Sequence, residues 1–153
     1  MIIINKQYKK YFSNFEFYDF KNLTGNIHRK CKNRTTLEFI LQQKKFFIKK
    51  HAKIGWQEIF KNICLGKKNI KGALNEVKAI ILLHQIHINT INVIAYGYTK
   101  HIMPYQQSFL ISEKLTDCIG VDNLVKNKQN WQKLKKHIIK KTAKIIKIMH
   151  NTG

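Results

Sequence analysis

Alternation of apolar residues predicts a β-hairpin in the first third of the chain. Over 36–41 every second position is a large apolar residue, from Leu37 to Leu41, which is the period of a strand. The run KFFIKK over 45–50 predicts a second strand at 46–50, after a turn at 42–45. In this strand Lys49 shares a face with Phe47, because successive side chains point to opposite faces.

Helical periodicity follows the hairpin. Trp56, Ile59, Phe60 and Ile63 are spaced i, i+3, i+4 and i+7, which predicts a helix over 56–64. A second helix is predicted over 74–86. Strands are predicted over 91–96, closed by a glycine at 97, and over 107–112, entered through a turn at Pro104. The segment 1–26 shows no clear period and is interpreted as irregular chain or short strand.

The last segment predicts a long amphipathic helix. Its apolar stripe consists of Trp131, Leu134, Ile138, Ile145 and Met149, and lysines occupy the other side. Paired strands interleaved with helices favour an α+β fold, an antiparallel sheet with helices at one side. Many α+β domains share this order of elements, so the pattern alone does not define a function.

The net charge of the chain indicates which partners it can bind. The 153 residues include 29 Lys and Arg against 8 Asp and Glu, giving a formal charge of +21. Such a charge attracts nucleic acid, anionic lipid or phosphorylated sugar, although abundant Lys, Ile and Asn are equally typical of an AT-rich coding sequence. Nucleic acid is the less favoured partner, because only Arg29 and Arg34 are arginines and bidentate base contacts favour Arg.

The remaining composition indicates where the protein acts. The three cysteines form no CxxC pair, which disfavours a zinc site. The apolar run at the start, MIIIN, is too short for a signal peptide or a membrane span. We therefore expect a cytoplasmic protein with a surface that can face an anionic membrane.

Several short sequence motifs, spaced along the chain, carry a resemblance to a known family. They are IGWQEIFKN at 54–62, GALNEVKAI at 72–80, AYG at 95–97, SFLISEKLT at 108–116 and MHNTG at 149–153. In this order they resemble the lipopolysaccharide core heptose kinases and the related Kdo kinases. IGW and EIFKN favour the heptose kinases. The resemblance implies a protein-kinase-like fold and the use of ATP and Mg2+. It also implies phosphorylation of an inner-core sugar of lipopolysaccharide at the inner membrane of a Gram-negative bacterium.

The resemblance also implies which residues bind ATP. Lys49 corresponds to the strand lysine that neutralises the nucleotide phosphates, and Glu76 to the helix carboxylate that pairs with it. Glu113 and Leu115 mark the hinge, whose backbone binds adenine. The residues alone leave alternatives open: Lys49 as one of many surface lysines, Glu76 as a helix-start carboxylate, and Glu113 as a strand-end side chain.

Other features of the family pattern are altered or lie elsewhere. The phosphate loop, near 32–36, contains no glycine, and Arg34 is a substitute source of charge. Asp122, just past the hinge, can contact a sugar hydroxyl or simply begin a helix.

The family's catalytic Asp and its metal-binding Asp are expected beyond Gly153. The resemblance therefore implies a small lobe over 1–115, with 1–25 only weakly assigned. Over 116–153 it implies the start of a large lobe that stops before the catalytic loop. We expect this chain alone to be catalytically incomplete. The alternative, from another class, is a non-catalytic basic protein that binds nucleic acid or an anionic membrane.

Overall fold

The computed structural model describes residues 1–31, 33–53, 60–61, 64–65, 72–101, 105–116 and 118–152. The chain divides into two compact units. The first comprises Met1–Leu82 and Thr90–Lys114, and the second comprises Leu83–Asn89 and Leu115–Gly153.

The first unit is built on a six-stranded antiparallel sheet with the order β1-β5-β6-β4-β3-β2. Its strands are β1 (Ile2–Ile4), β2 (Asn26–Cys31), β3 (Arg34–Leu41), β4 (Lys44–His51), β5 (Val93–Tyr98) and β6 (Ser108–Glu113). The predicted α+β class is confirmed, and so are the four predicted strands, within three residues at each end.

The hairpin turn between β3 and β4 is tighter than predicted. Leu41 pairs with Lys44, so only Gln42 and Gln43 form the loop. Both have positive φ, 46° and 64°, as a two-residue type I′ turn requires. Glutamine is uncommon in this conformation, which is why the sequence predicted a longer turn.

One face of the sheet is covered by residues 5–23, which follow β1 and are called the N-terminal segment below. This segment contains a 3-10 turn at Lys6–Tyr8 and two short helices, α1 (Lys9–Phe12) and α2 (Phe17–Asn22). Phe12 and Phe20 are fully buried against the sheet, and the Phe20 ring stacks on Phe109 with centroids 4.4 Å apart. No periodic pattern marks this segment in the sequence, because its helices are too short to show one.

Helix α3 (Ala73–Gln85) belongs to the other side of the sheet and confirms the helix predicted at 74–86. Its buried residues Ala73, Val77 and Ile80 form a separate hydrophobic cluster with Leu110 of β6. Because α3 is placed over β6, and β6 neighbours β4, the polar residues of its first turn lie near β4.

One strand was not predicted, one prediction is wrong, and two others lie wholly or partly outside the described residues. Strand β2 was not predicted, because all six of its residues are exposed and show no alternation. The prediction that Gly97 closes its strand is wrong, because β5 continues to Tyr98. Glycine is needed at this position because a Cβ would come within 2.7 Å of the Phe109 ring. Of the helix predicted over 56–64, residues 60, 61 and 64 are helical. The rest of that helix, and the turn at Pro104, lie outside the description.

The second unit contains α4 (Val121–Lys126) and α5 (Lys128–Asn151), which confirms the predicted long helix. The Asn127 side chain accepts a hydrogen bond from the backbone N–H of Asn130 at 3.2 Å and thereby caps the start of α5. No residue of α5 is buried. No helix among the described residues is long and apolar enough to cross a membrane.

Candidate nucleotide-binding site

The structure brings Lys49 and Glu76 together. The Lys49 ammonium donates to the Glu76 carboxylate, joining β4 to the first turn of α3. Both side chains remain about one-third exposed, at 34% and 27%. The pair therefore lies at the surface of the unit with spare donor capacity on Lys49, since an ammonium group carries three donors.

Lys50, the alternative lysine in the same strand, points to the opposite face. Its Nζ donates to the carbonyl oxygens of Lys21 and Leu23 at the end of α2, at 2.6 Å for Lys21. Lys21 in turn donates to the carbonyl oxygen of His51 at 3.0 Å. Burial lowers the pKa of Lys21 to about 8 and also lowers that of Lys50. Lys50 therefore ties the N-terminal segment to β4 and leaves Lys49 as the lysine that faces α3.

Contacts with β6 hold the N-terminus of α3, the part of the helix that carries Glu76. The backbone N–H of Ala73 donates to Ser108 Oγ at 2.9 Å, so β6 caps the N-terminus of the helix. Gly72, just before it, has φ +59°, and a Cβ there would lie 2.3 Å from Ser108 Oγ. Glycine is required at this position for both its conformation and its size.

His51, two residues after Lys49, is buried beside this junction. It is only 8% exposed, and its Nε2 has no hydrogen-bond partner within the described part of the chain. Burial lowers the pKa of His51 to about 4, an effect that Glu76 partly opposes and nearby cations reinforce. A neutral imidazole therefore adds no positive charge next to the Lys49–Glu76 pair.

At the end of β6, Glu113 accepts a hydrogen bond from the hydroxyl of Tyr8 in the N-terminal segment. Burial raises the pKa of Tyr8 to about 12, and Glu113 acts in the same direction, so the hydroxyl keeps its proton. Leu115 follows the sheet, belongs to the second unit and is 57% exposed. The structure thus places the two predicted hinge residues on either side of the division between the units.

The other candidate residues are dispersed. Arg34 is exposed and pairs in register with His51, and Asp122 is exposed in the first turn of α4. Across the described residues no group of three His, Cys, Asp or Glu side chains could hold a metal ion. The residues present therefore do not fit the Mg2+ that the family resemblance implies.

Sequence reasoning missed several residues that support this site. Ser108 and Gly72 lie within the motifs that carry the family resemblance, but no role was predicted for either. Tyr8 is 105 positions from its partner Glu113 and lies in a segment without period. Only contacts between distant parts of the chain reveal these roles.

Comparisons with known proteins now identify the family. The model of the lipopolysaccharide kinase (Kdo/WaaP) family matches residues 18–153. The chain therefore belongs to the lipopolysaccharide kinase (Kdo/WaaP) family, as the resemblance indicated.

Two relatives are lipopolysaccharide core heptose(I) kinases WaaP. That of Pseudomonas aeruginosa is 30% identical over 137 residues, covering 86% of this chain and 50% of the relative. That of Escherichia coli K12 is 30% identical over 144 residues, covering 90% and 53%. The chain thus spans about half the length of the curated relatives that it matches.

A solved structure shares the fold. It is WaaP in complex with acyl carrier protein, with a TM-score of 0.70 and 22% identity, and the match covers 98% of this chain and 56% of that one. The likeness shows the kinase-like α+β fold.

Proposed function

We propose that this chain is the nucleotide-binding part of a kinase that transfers a phosphoryl group from ATP to a sugar of the lipopolysaccharide inner core. The observation that carries the proposal is the Lys49–Glu76 pair between β4 and α3. Phosphoryl transfer depends mainly on positioning and on neutralising phosphate charge. A lysine oriented by a carboxylate meets that need for the ATP phosphates.

The proposed division of roles is the one that the family resemblance implies, and the contact between Lys49 and Glu76 supports part of it. Lys49 binds ATP phosphates, Glu76 orients Lys49, and the backbone at 113–115 binds adenine. The described residues offer no group of side chains that fits Mg2+, and no step of the proposal is assigned to the metal.

ATP binding tests the proposal. In the Lys49→Met variant we expect the affinity for ATP to fall by at least about tenfold, the effect of losing a charge-assisted hydrogen bond, while adenosine binding is unchanged. Lys9→Met is a matched control, because Lys9 is an exposed lysine at the start of α1. Titration calorimetry gives both affinities. Equal ATP affinity in all three proteins would remove Lys49 from the site.

Heptose is the proposed acceptor and Kdo the alternative, because both relatives are heptose(I) kinases. Labelled phosphate from ATP should appear on lipopolysaccharide that carries an unphosphorylated heptose. It should not appear on lipopolysaccharide that ends at Kdo. Label on both acceptors would contradict this preference. The assay uses the complete product of the gene.

A second candidate role, peripheral binding to the anionic inner membrane, is favoured by α5. This helix carries eight lysines and no acidic residue, and Leu134, Ile145 and Met149 are 41–47% exposed. A basic helix with an exposed apolar side is typical of membrane-surface binding. We expect the protein to float with vesicles containing anionic lipid and to be released by salt. Binding to DNA with equal strength would instead favour the nucleic-acid alternative.

Acyl carrier protein is a further candidate partner, because the solved WaaP with this fold is in complex with it. Co-elution of the purified chain with acyl carrier protein on size-exclusion chromatography tests this. Separate elution at micromolar concentrations would count against it.

A further inference from the structure

The end of β6 is held from two sides at consecutive residues. Glu113 accepts a hydrogen bond from the Tyr8 hydroxyl, and Lys114 donates through Nζ to the Glu38 carboxylate at 3.1 and 3.3 Å. Glu113 pairs in register with Phe46 and Glu38 pairs with Phe47, and neighbouring residues of a strand such as β4 point to opposite faces. The two contacts therefore restrain the same short piece of backbone from opposite directions, and we call them the strand-end anchor.

On the Tyr8 side of the anchor, packing against a buried residue of β4 holds the Tyr8 ring in place. The Tyr8 ring packs edge-on against Phe46, with centroids 6.5 Å apart, and Phe46 is fully buried in β4. Phe46 is also the register partner of Glu113. The hydroxyl is therefore held in place by the strand that neighbours its acceptor.

The Glu38 side of the anchor is equally well defined. Glu38 is only 13% exposed in its side chain and also contacts His28 Nε2 at 3.1 Å. The hydrogen bond from Lys114 lowers the pKa of the Glu38 carboxyl, so the carboxylate stays ionised at neutral pH. The backbone N–H of Lys114 adds a bond to the Lys45 carbonyl oxygen at 3.5 Å.

The family model begins at residue 18, so Tyr8 lies outside the part of the chain that defines the family. Nevertheless, residues 1–17 are integral to the first unit: β1 is a strand of its sheet and Phe12 is fully buried. Tyr8 is therefore a feature of this chain that family membership does not assign.

We propose that Tyr8 and Glu38 are positioning residues that fix the backbone leaving β6 in the conformation that binds adenine. This inference rests on the proposed function, because the backbone at 113–115 is the proposed adenine site. Positioning by these residues lowers the entropy cost of ordering that backbone when the ligand binds. Neither side chain needs to touch the nucleotide.

Adenosine binding tests the inference, because adenosine lacks the phosphates that Lys49 would bind. For Tyr8→Phe and for Glu38→Gln we expect the affinities for adenosine and ATP to fall by the same factor, about fivefold. Tyr8→Phe loses one hydrogen bond, whereas Glu38→Gln loses the negative charge that strengthens the bond from Lys114. Lys49→Met should differ by weakening ATP alone. Calorimetric titrations at a temperature where every variant is folded give the affinities.

Two controls separate positioning from general stability. Tyr11→Phe removes a neighbouring hydroxyl that makes no hydrogen bond within the described residues and should bind adenosine like the wild type. Ile94→Val lowers stability from a fully buried position in β5 without touching the anchor, and should also leave adenosine affinity unchanged. Should Tyr8→Phe fail to fold, Glu38→Gln tests the anchor from the other face.

The outcomes are distinguishable. Wild-type adenosine affinity in both anchor variants, with the wild type binding normally, would overturn the inference and leave the proposed function standing. A wild-type chain that binds neither adenosine nor ATP would overturn the proposed function and the inference with it. Adenosine affinity that falls in Ile94→Val as much as in Tyr8→Phe would assign Tyr8 a purely structural role.

Discussion

Strand β4 and helix α5 are made largely of the same residue types, lysine with large apolar side chains, yet their surroundings differ. In β4, Phe46 and Ile48 are fully buried, and Lys49 and Lys50 each have a defined partner on opposite faces. In α5 no residue is buried, and none of its lysines makes a side-chain hydrogen bond within the described residues. Neighbours on both sides, rather than composition, give β4 its defined contacts.

The difference has an energetic consequence. Burial of large apolar side chains is the main favourable term in folding, so the stability of the first unit should depend on individual residues of its core. A helix without buried residues depends on local propensity instead. Substitutions in the two regions should therefore differ in size and sometimes in sign.

The largest effect should come from the core beneath the N-terminal segment. Phe12→Ala removes a fully buried ring that contacts Phe15, Phe20 and Phe46, and should lower the free energy of unfolding by about 3–5 kcal/mol. Ile139→Ala in α5, 59% exposed, should change it by less than about 0.5 kcal/mol. Urea denaturation measures both. Equal losses would mean that α5 has a core of its own.

Protonation of His51 should have the next largest effect. The folded-state pKa is about 4 against an unfolded value of 6.5, so the unfolded chain binds more protons between these values. Stability should therefore fall as the pH drops from 6.5 to 4, by a total of about 3 kcal/mol.

Two variants test whether His51 causes this pH dependence of stability. His51→Leu should make the unfolding free energy much less dependent on pH in this range. His137→Gln, at an exposed position of α5, should leave the dependence unchanged. Urea denaturation at several pH values measures it. An unaltered pH dependence in His51→Leu would show that other groups cause the loss.

The comparison also shows what a sequence can reveal. The β3–β4 hairpin and α3 were predicted from alternation and periodicity because one side of each is buried and the other is not. Strand β2 lacks that asymmetry, since all of its residues are exposed, and it exists because it pairs with β3. Alternation placed Lys49 and Lys50 on opposite faces, but only the family resemblance selected Lys49.

The supporting contacts could not be predicted because their partners are far apart in the chain. The Ala73 N–H binds Ser108, 35 positions away, and Lys114 binds Glu38, 76 positions away. No local pattern records such pairs. The need for glycine at position 72 depends on the approach of Ser108 and could not be predicted either, although both residues belong to the motifs that carry the family resemblance.

Gly72→Ala should have an intermediate effect. The positive φ of +59° and the approach to Ser108 Oγ both oppose a Cβ, so unfolding free energy should fall by about 1–3 kcal/mol. ATP affinity should fall too, because the start of α3 positions Glu76. In Gly120→Ala the Cβ would meet only the carboxylate end of exposed Asp122, which can rotate away. A larger loss of stability in Gly120→Ala would contradict this ranking.

The smallest effects should come from introducing glycine, which should stabilise the β3–β4 turn and destabilise α5. Gln43 has φ 64° in the β3–β4 turn, where glycine is unstrained, so Gln43→Gly should raise the free energy of unfolding by about 0.5–1 kcal/mol. Gln132→Gly lies inside α5, where glycine costs about 1 kcal/mol of helix stability. Because α5 has no buried residue, that cost should appear as lost helicity in circular dichroism and not in the unfolding of the sheet. A fall in both signals for Gln132→Gly would show that α5 and the sheet unfold as one cooperative unit.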